Sequence, residues 1–116
     1  MQQQDKVAKL IEWFIKASLR HAEAVDAMHE EAAAVQVECL TRFFKALRQE
    51  EGGMQRFFTL LDHENPVVAG MAAVYGLREA PERCRAALQR VAQAPGLIGF
   101  RAQTALERWD SGDWQR

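Results

Sequence analysis

The twelve residues 66–77, PVVAGMAAVYGL, carry no charged side chain. They are too few for the roughly 20 residues of a membrane-spanning helix, so other parts of the chain must cover their apolar surface. A helix that is apolar on every side is a buried one. Asn65 and Pro66 supply its start, because an Asn side chain caps free backbone N–H groups and proline at the first helical position sacrifices no hydrogen bond. Gly70 and Gly76 would let neighbours come close to its backbone. The segment predicts the centre of the fold, and the remaining sequence must supply the elements that enclose it.

Those elements read as helices. β-Branched residues are few and almost no stretch alternates apolar with polar, whereas apolar residues recur at spacings of three and four. Val7, Leu10, Ile11, Phe14, Ser18, Ala22 and Val25 share one face of a helix over residues 5–25. Met28, Ala32, Val35, Cys39, Phe43 and Ala46, widened by Leu40 and Leu47, predict the inward stripe of a second over residues 26–50, with Val37 and Phe44 pointing away from it into buried contacts with a further layer. Gly52 and Gly53 end it. A short helix over 54–61 turns Met54, Phe57, Phe58 and Leu61 inward, and residues 62–65 form a loop. After the central helix, Ala80-Pro81-Glu82 starts a fifth over 81–94, with Cys84, Ala87, Leu88 and Val91 inward. Pro95-Gly96 breaks it, and a sixth runs over 97–109 with Ile98, Ala102, Ala105, Leu106 and Trp109 inward. With 116 residues, 48% of them apolar, and no linker-like segment, the expectation is one all-α domain over 1–116, a stack of about six antiparallel helices.

The turn Leu60-Leu61-Asp62-His63-Glu64-Asn65-Pro66-Val67-Val68, followed by Ala72-Ala73 and Leu77, resembles the first helix of a HEAT-type repeat. Ala69 stands where that pattern usually has an Arg, which interrupts the Asp–Arg ladder joining successive repeats. Together with Ala80-Pro81-Glu82, Gly96-Leu97-Ile98-Gly99-Phe100 and Leu106-Glu107-Arg108-Trp109, the chain is similar to a small uncharacterised bacterial family of HEAT-like domains. The resemblance implies a HEAT/armadillo-like stack acting as a binding scaffold, with some relatives carried where immunity to bacterial toxins would be needed. It implies no catalytic residue.

The polar inventory points the same way. Three His, one Tyr and serines only at positions 18 and 111 are a poor basis for a reacting centre. Gly52-Gly53 lacks the Lys-Ser or Lys-Thr of a phosphate loop. Asp26 and His29, with His21, Glu23 and Glu30 nearby, form the best metal candidate, but a bundle-type site needs a second such motif. No enzyme, metal or cofactor is expected. Cys39 and Cys84 lie in apolar stripes without partners at metal spacing and read as buried free thiols of a reducing compartment, a long-range disulfide being the alternative. The absence of a long apolar run and of a basic-then-apolar start leads to the expectation of a cytoplasmic protein.

Charge is unevenly placed. The net charge is −1, yet residues 22–38 hold Glu23, Asp26, Glu30, Glu31 and Glu38 with no Lys or Arg, a local charge of −5. Residues 78–108 hold Arg78, Arg83, Arg85, Arg90, Arg101 and Arg108 against Glu79, Glu82 and Glu107, a local charge of +3. An acidic stripe suits a basic protein partner such as a nuclease, because complementary fields speed encounter. The arginines would suit nucleic acid, but Glu82 and Glu107 interrupt them and no aromatic residues alternate with them for base stacking. Trp13, at the edge of its helix face, and Trp114, beyond the last helix, add candidate anchors for an interface. The expected function is therefore non-catalytic protein binding, as an immunity protein that occludes a cognate toxin, through Glu23, Asp26, Glu30, Glu31, Glu38, Trp13 and Trp114. A generic interaction or dimerisation domain is the alternative, and a nucleic-acid-binding HEAT-like protein the next. Monomer and homodimer are both compatible with the sequence.

Overall fold

A computed structural model of the chain describes residues 2–113. Among them are six α-helices and no strand: α1 (Gln2–Asp26), α2 (Glu30–Gln49), α3 (Gly53–Phe58), α4 (Pro66–Gly76), α5 (Pro81–Val91) and α6 (Gly96–Ser111), with a 3-10 turn at Thr59–Asp62. The protein is all-α. The helices fall into two units, residues 1–59 and 60–116.

In the first unit α1 and α2 form an antiparallel hairpin, and α3 packs against both. Val7, Leu10, Phe14 and Ala17 of α1 meet Leu40, Phe44 and Leu47 of α2 as a buried seam. Phe57 of α3 closes its base, with its ring edge-on to Phe14 at 5.1 Å and tilted against Phe44 at 5.0 Å. Such edge contacts add roughly 0.5–1.5 kcal/mol to the burial of the rings. Ser18 lies within this seam, its hydroxyl donating to the Phe14 carbonyl at 2.9 Å, so its burial leaves no polar group unpaired.

The second helix has its inward face one residue away from where the sequence places it. Leu40 and Leu47 are buried as expected, and Phe44, expected to be buried against a further layer, is buried in the seam itself at 7% exposed, while Met28 and Val35, expected inward, are 85% and 52% exposed and Val37, expected to be buried like Phe44, is 43% exposed. Adjacent positions on a helix differ by about 100°, so Phe43 and Phe44 compete for the same seam. Gln36 interrupts the winning series, Ala33-Gln36-Leu40-Phe44-Leu47, and hides it from a count of apolar residues.

In the second unit α4 packs on α5, and α6 touches both. No residue of α4 is exposed, as its uncharged sequence requires. Asn65 caps it, Oδ1 accepting from the Val67 N–H at 2.9 Å, with Pro66 in the first turn. His63 Nδ1 accepts from the Asn65 N–H at 3.0 Å and fixes the approach to the cap. Arg85 of α5 and Asp110 of α6 form a two-bond ion pair, Nε to Oδ1 at 3.1 Å and Nη2 to Oδ2 at 2.8 Å. Arg90 donates to the Leu61 carbonyl at 3.2 Å and lies 3.4 Å from Asp62. The turn aspartate thus finds its arginine on the following helix, although Ala69 leaves none on its own.

Candidate functional site

The acidic residues gather around the turn between α1 and α2. Three residues, 27–29, separate the helices, and their hydrogen bonds define the turn. The His29 N–H donates to the Ala24 carbonyl at 2.8 Å and the Met28 N–H to Val25 at 3.0 Å, the paired bonds of a Schellman ending. Met28 occupies the left-handed position of that motif, with φ of 61° and its side chain in solvent. Glycine normally fills this place, so nothing in the sequence marks the break. The expected second helix accordingly starts four residues late, at Glu30.

Glu23, Asp26, Glu30, Glu31 and Glu38 are all exposed. None of them forms an ion pair among the described residues. Glu30 and Glu31 lie in the first turn of α2, where a negative charge offsets the helix dipole. Glu23 and Asp26 have the opposite relation. They lie at the C-terminal end of α1, whose last turn has no basic residue. Carboxylates there oppose the dipole and cost roughly 0.3–1 kcal/mol each. Solubility could be obtained at cheaper positions, so the placement points to a use for the charge.

Trp13 stands on the flank of the same hairpin, 45% exposed, with its ring 5.7 Å from that of Phe43. Below it on α2, Ala32 and Val35 are exposed, while Cys39 and Ala46 are half-buried. Cys39 is a free thiol on this flank and not a core group, whereas Cys84 is buried as expected. Trp114 lies outside the described residues. The structure also brings out two apolar side chains that the sequence reading passed over, Leu97 and Phe100, exposed on α6 beside Arg101. They fall off the stripe of Ala102, Ala105 and Leu106, and that displacement was the available signal.

The arginine-rich segment is mostly committed to the protein itself. Arg85 and Arg90 hold Asp110 and Asp62, and Arg78, Arg83 and Arg108 are likewise engaged. A shallow cleft of about 240 Å³ opens beside Asp62, His63, Glu64, Pro66 and Arg90. His63 and Arg90 are the cleft's nitrogen-bearing side chains, and both already hydrogen-bond within the turn. Among the described residues no three His, Cys, Asp or Glu side chains converge as a metal site would require. No described helix is long and apolar enough to cross a membrane.

No family model matches the chain, and no curated protein matches it. Its fold is similar to that of the crystal structure of the protein RPA1889 from Rhodopseudomonas palustris CGA009, with a TM-score of 0.80 at 18% identity. The likeness covers 97% of this chain and 94% of that one. At such identity it concerns the fold alone.

Proposed function

We propose that this chain is a non-catalytic binding protein whose acidic α1–α2 hairpin end docks a basic protein, and that it serves as an immunity protein of a HEAT-like family, neutralising a cognate toxin in the cytoplasm. The placement of Glu23 and Asp26 carries this reading: two exposed carboxylates set against the dipole of the helix that bears them. Glu30, Glu31 and Glu38 extend the charge, and Met28 and Trp13 offer apolar contact within it. A basic partner would be steered to this end by the field and held where the apolar groups lose water. Occlusion of the toxin's own phosphate-binding surface would then be the mechanism.

The test is a titration of the purified protein with the product of the reading frame next to its own. Tight, salt-sensitive binding is expected. Reversing Glu23 and Asp26 together to Lys should weaken it by roughly 2 kcal/mol, about thirtyfold. The same substitutions complement the dipole of α1, so the free protein should unfold at a slightly higher temperature. Unchanged affinity would eliminate the acidic end, and a neighbour that is not bound at all would eliminate the immunity role.

A further inference from the structure

The flank that α2 leaves open is symmetric in sequence. Ala32, Val35, Cys39, Phe43 and Ala46 are separated by three, four, four and three residues, so the series reads the same in both directions about Cys39. A spacing that averages three and a half residues is that of helices packed along their length. The first unit uses a different series for its own core, with Leu40, Phe44 and Leu47 buried, and this one remains half open to solvent. Trp13 rests on Phe43 and widens the surface.

Charge along the helix changes sign at the same residue. Glu30, Glu31 and Glu38 precede Cys39, while Arg42, Lys45 and Arg48 follow it. Glu31, Glu38, Arg42 and Lys45 are exposed and in no ion pair among the described residues. A parallel copy of α2 would set acid against acid and base against base. An antiparallel copy sets each acidic half against a basic half, Val35 against Phe43, and Cys39 against its counterpart.

We propose that the partner of this flank is a second copy of the chain, with α2 packed antiparallel on α2 about a two-fold axis at Cys39. The interface is isologous, so both apolar series are covered at once and the association closes as a dimer. It shares Glu31, Glu38 and Trp13 with the surface proposed above for a basic partner and leaves Glu23, Asp26 and Met28 open at each hairpin end, so that partner would dock on the part of the acidic end that the dimer leaves uncovered.

Sedimentation of the full-length protein over a concentration series tests the pairing. A monomer–dimer equilibrium is expected, and Val35→Lys should raise its dissociation constant roughly tenfold or more, because it places a charge in the apolar seam of each copy. Val35 is exposed in the single chain, so its circular dichroism should not change. Glu31→Lys and Lys45→Glu should each weaken the dimer, and the two together should restore it, since the antiparallel copy brings residue 31 of one chain within two residues of the level of residue 45 in the other. A short bis-maleimide should join two wild-type chains through Cys39 and none of the Cys39→Ala variant. Cys84 should stay silent, being buried with its thiol pushed up to about 11 by desolvation. A protein that stays monomeric throughout would overturn the proposal. So would a dimer indifferent to Val35→Lys, a charge swap that does not restore association, or a failure to link through Cys39.

Discussion

Met28 shows how a single residue can hide a structural break. Its φ of 61° closes the Schellman turn that ends α1, yet methionine is a good helix former and the sequence around it runs on without glycine or proline. A side chain in the left-handed region costs about 1 kcal/mol relative to glycine. Met28 is in solvent and gives up no packing when removed. Met28→Gly should therefore stabilise the free protein by about 1 kcal/mol, read as an upward shift of the denaturant midpoint at constant slope. Loss of stability would mean that the methionine makes contacts in solution that its exposure does not suggest. Glycines carry a related lesson. Gly70 was expected to let a neighbour approach, but a Cβ there would meet only Val91 Cγ1 at an ordinary 3.5 Å. Close approaches occur at Gly53 and Gly99, where a Cβ would run into the carbonyls of Leu47 and Ala94. Leu47 lies in the last turn of α2 and Ala94 in the turn that follows α5, so the requirement depends on how the chain re-enters a helix, which composition alone does not express.

At the scale of elements, the sequence is most legible where one local rule decides. The start of α4 follows from Asn65 and Pro66, and its burial follows from twelve uncharged residues. The inward face of α2 was not legible, because two apolar series lie about 100° apart on one helix and only tertiary packing selects between them. The acidic hairpin end could be read from the run of carboxylates, but its conflict with the dipole appeared only once α1 was seen to stop at Asp26. Likewise the Arg85–Asp110 pair links positions 25 residues apart that no short-range spacing connects. The hydrogen bonds from Arg85 hold the Asp110 carboxyl below its usual range. Because the folded-state value is the depressed one, the pair contributes stability above the ordinary carboxylate pKa near 4, and this contribution is lost as the pH falls through the lowered value. Urea denaturation of wild type and Asp110→Asn should thus differ at neutral pH and converge in acid. The gap should shrink at high salt, since both partners are exposed. A gap that persists at low pH would place the contribution of Asp110 elsewhere.

For the whole molecule, the near-zero net charge conceals how the charge is distributed. Five carboxylates without a cation within residues 22–38 give a local field that the total of −1 does not suggest, and Arg85 and Arg90 of the second unit are already in ion pairs. Steering by such a field acts on encounter, so salt should slow association with the basic partner and change dissociation far less. If α2 also pairs with α2, each dimer presents two acidic ends, because the antiparallel arrangement sends the hairpin turns in opposite directions. The complex should then contain two copies of each protein, and Val35→Lys should convert it to one of each while Glu23 and Asp26 continue to hold the partner. Light scattering of the purified complex gives the stoichiometry, and stopped-flow mixing at stepped ionic strength gives the rates. An association rate indifferent to salt would remove the field from the mechanism, and loss of partner binding in Val35→Lys would show that the partner, not a second copy, occupies the open flank of α2.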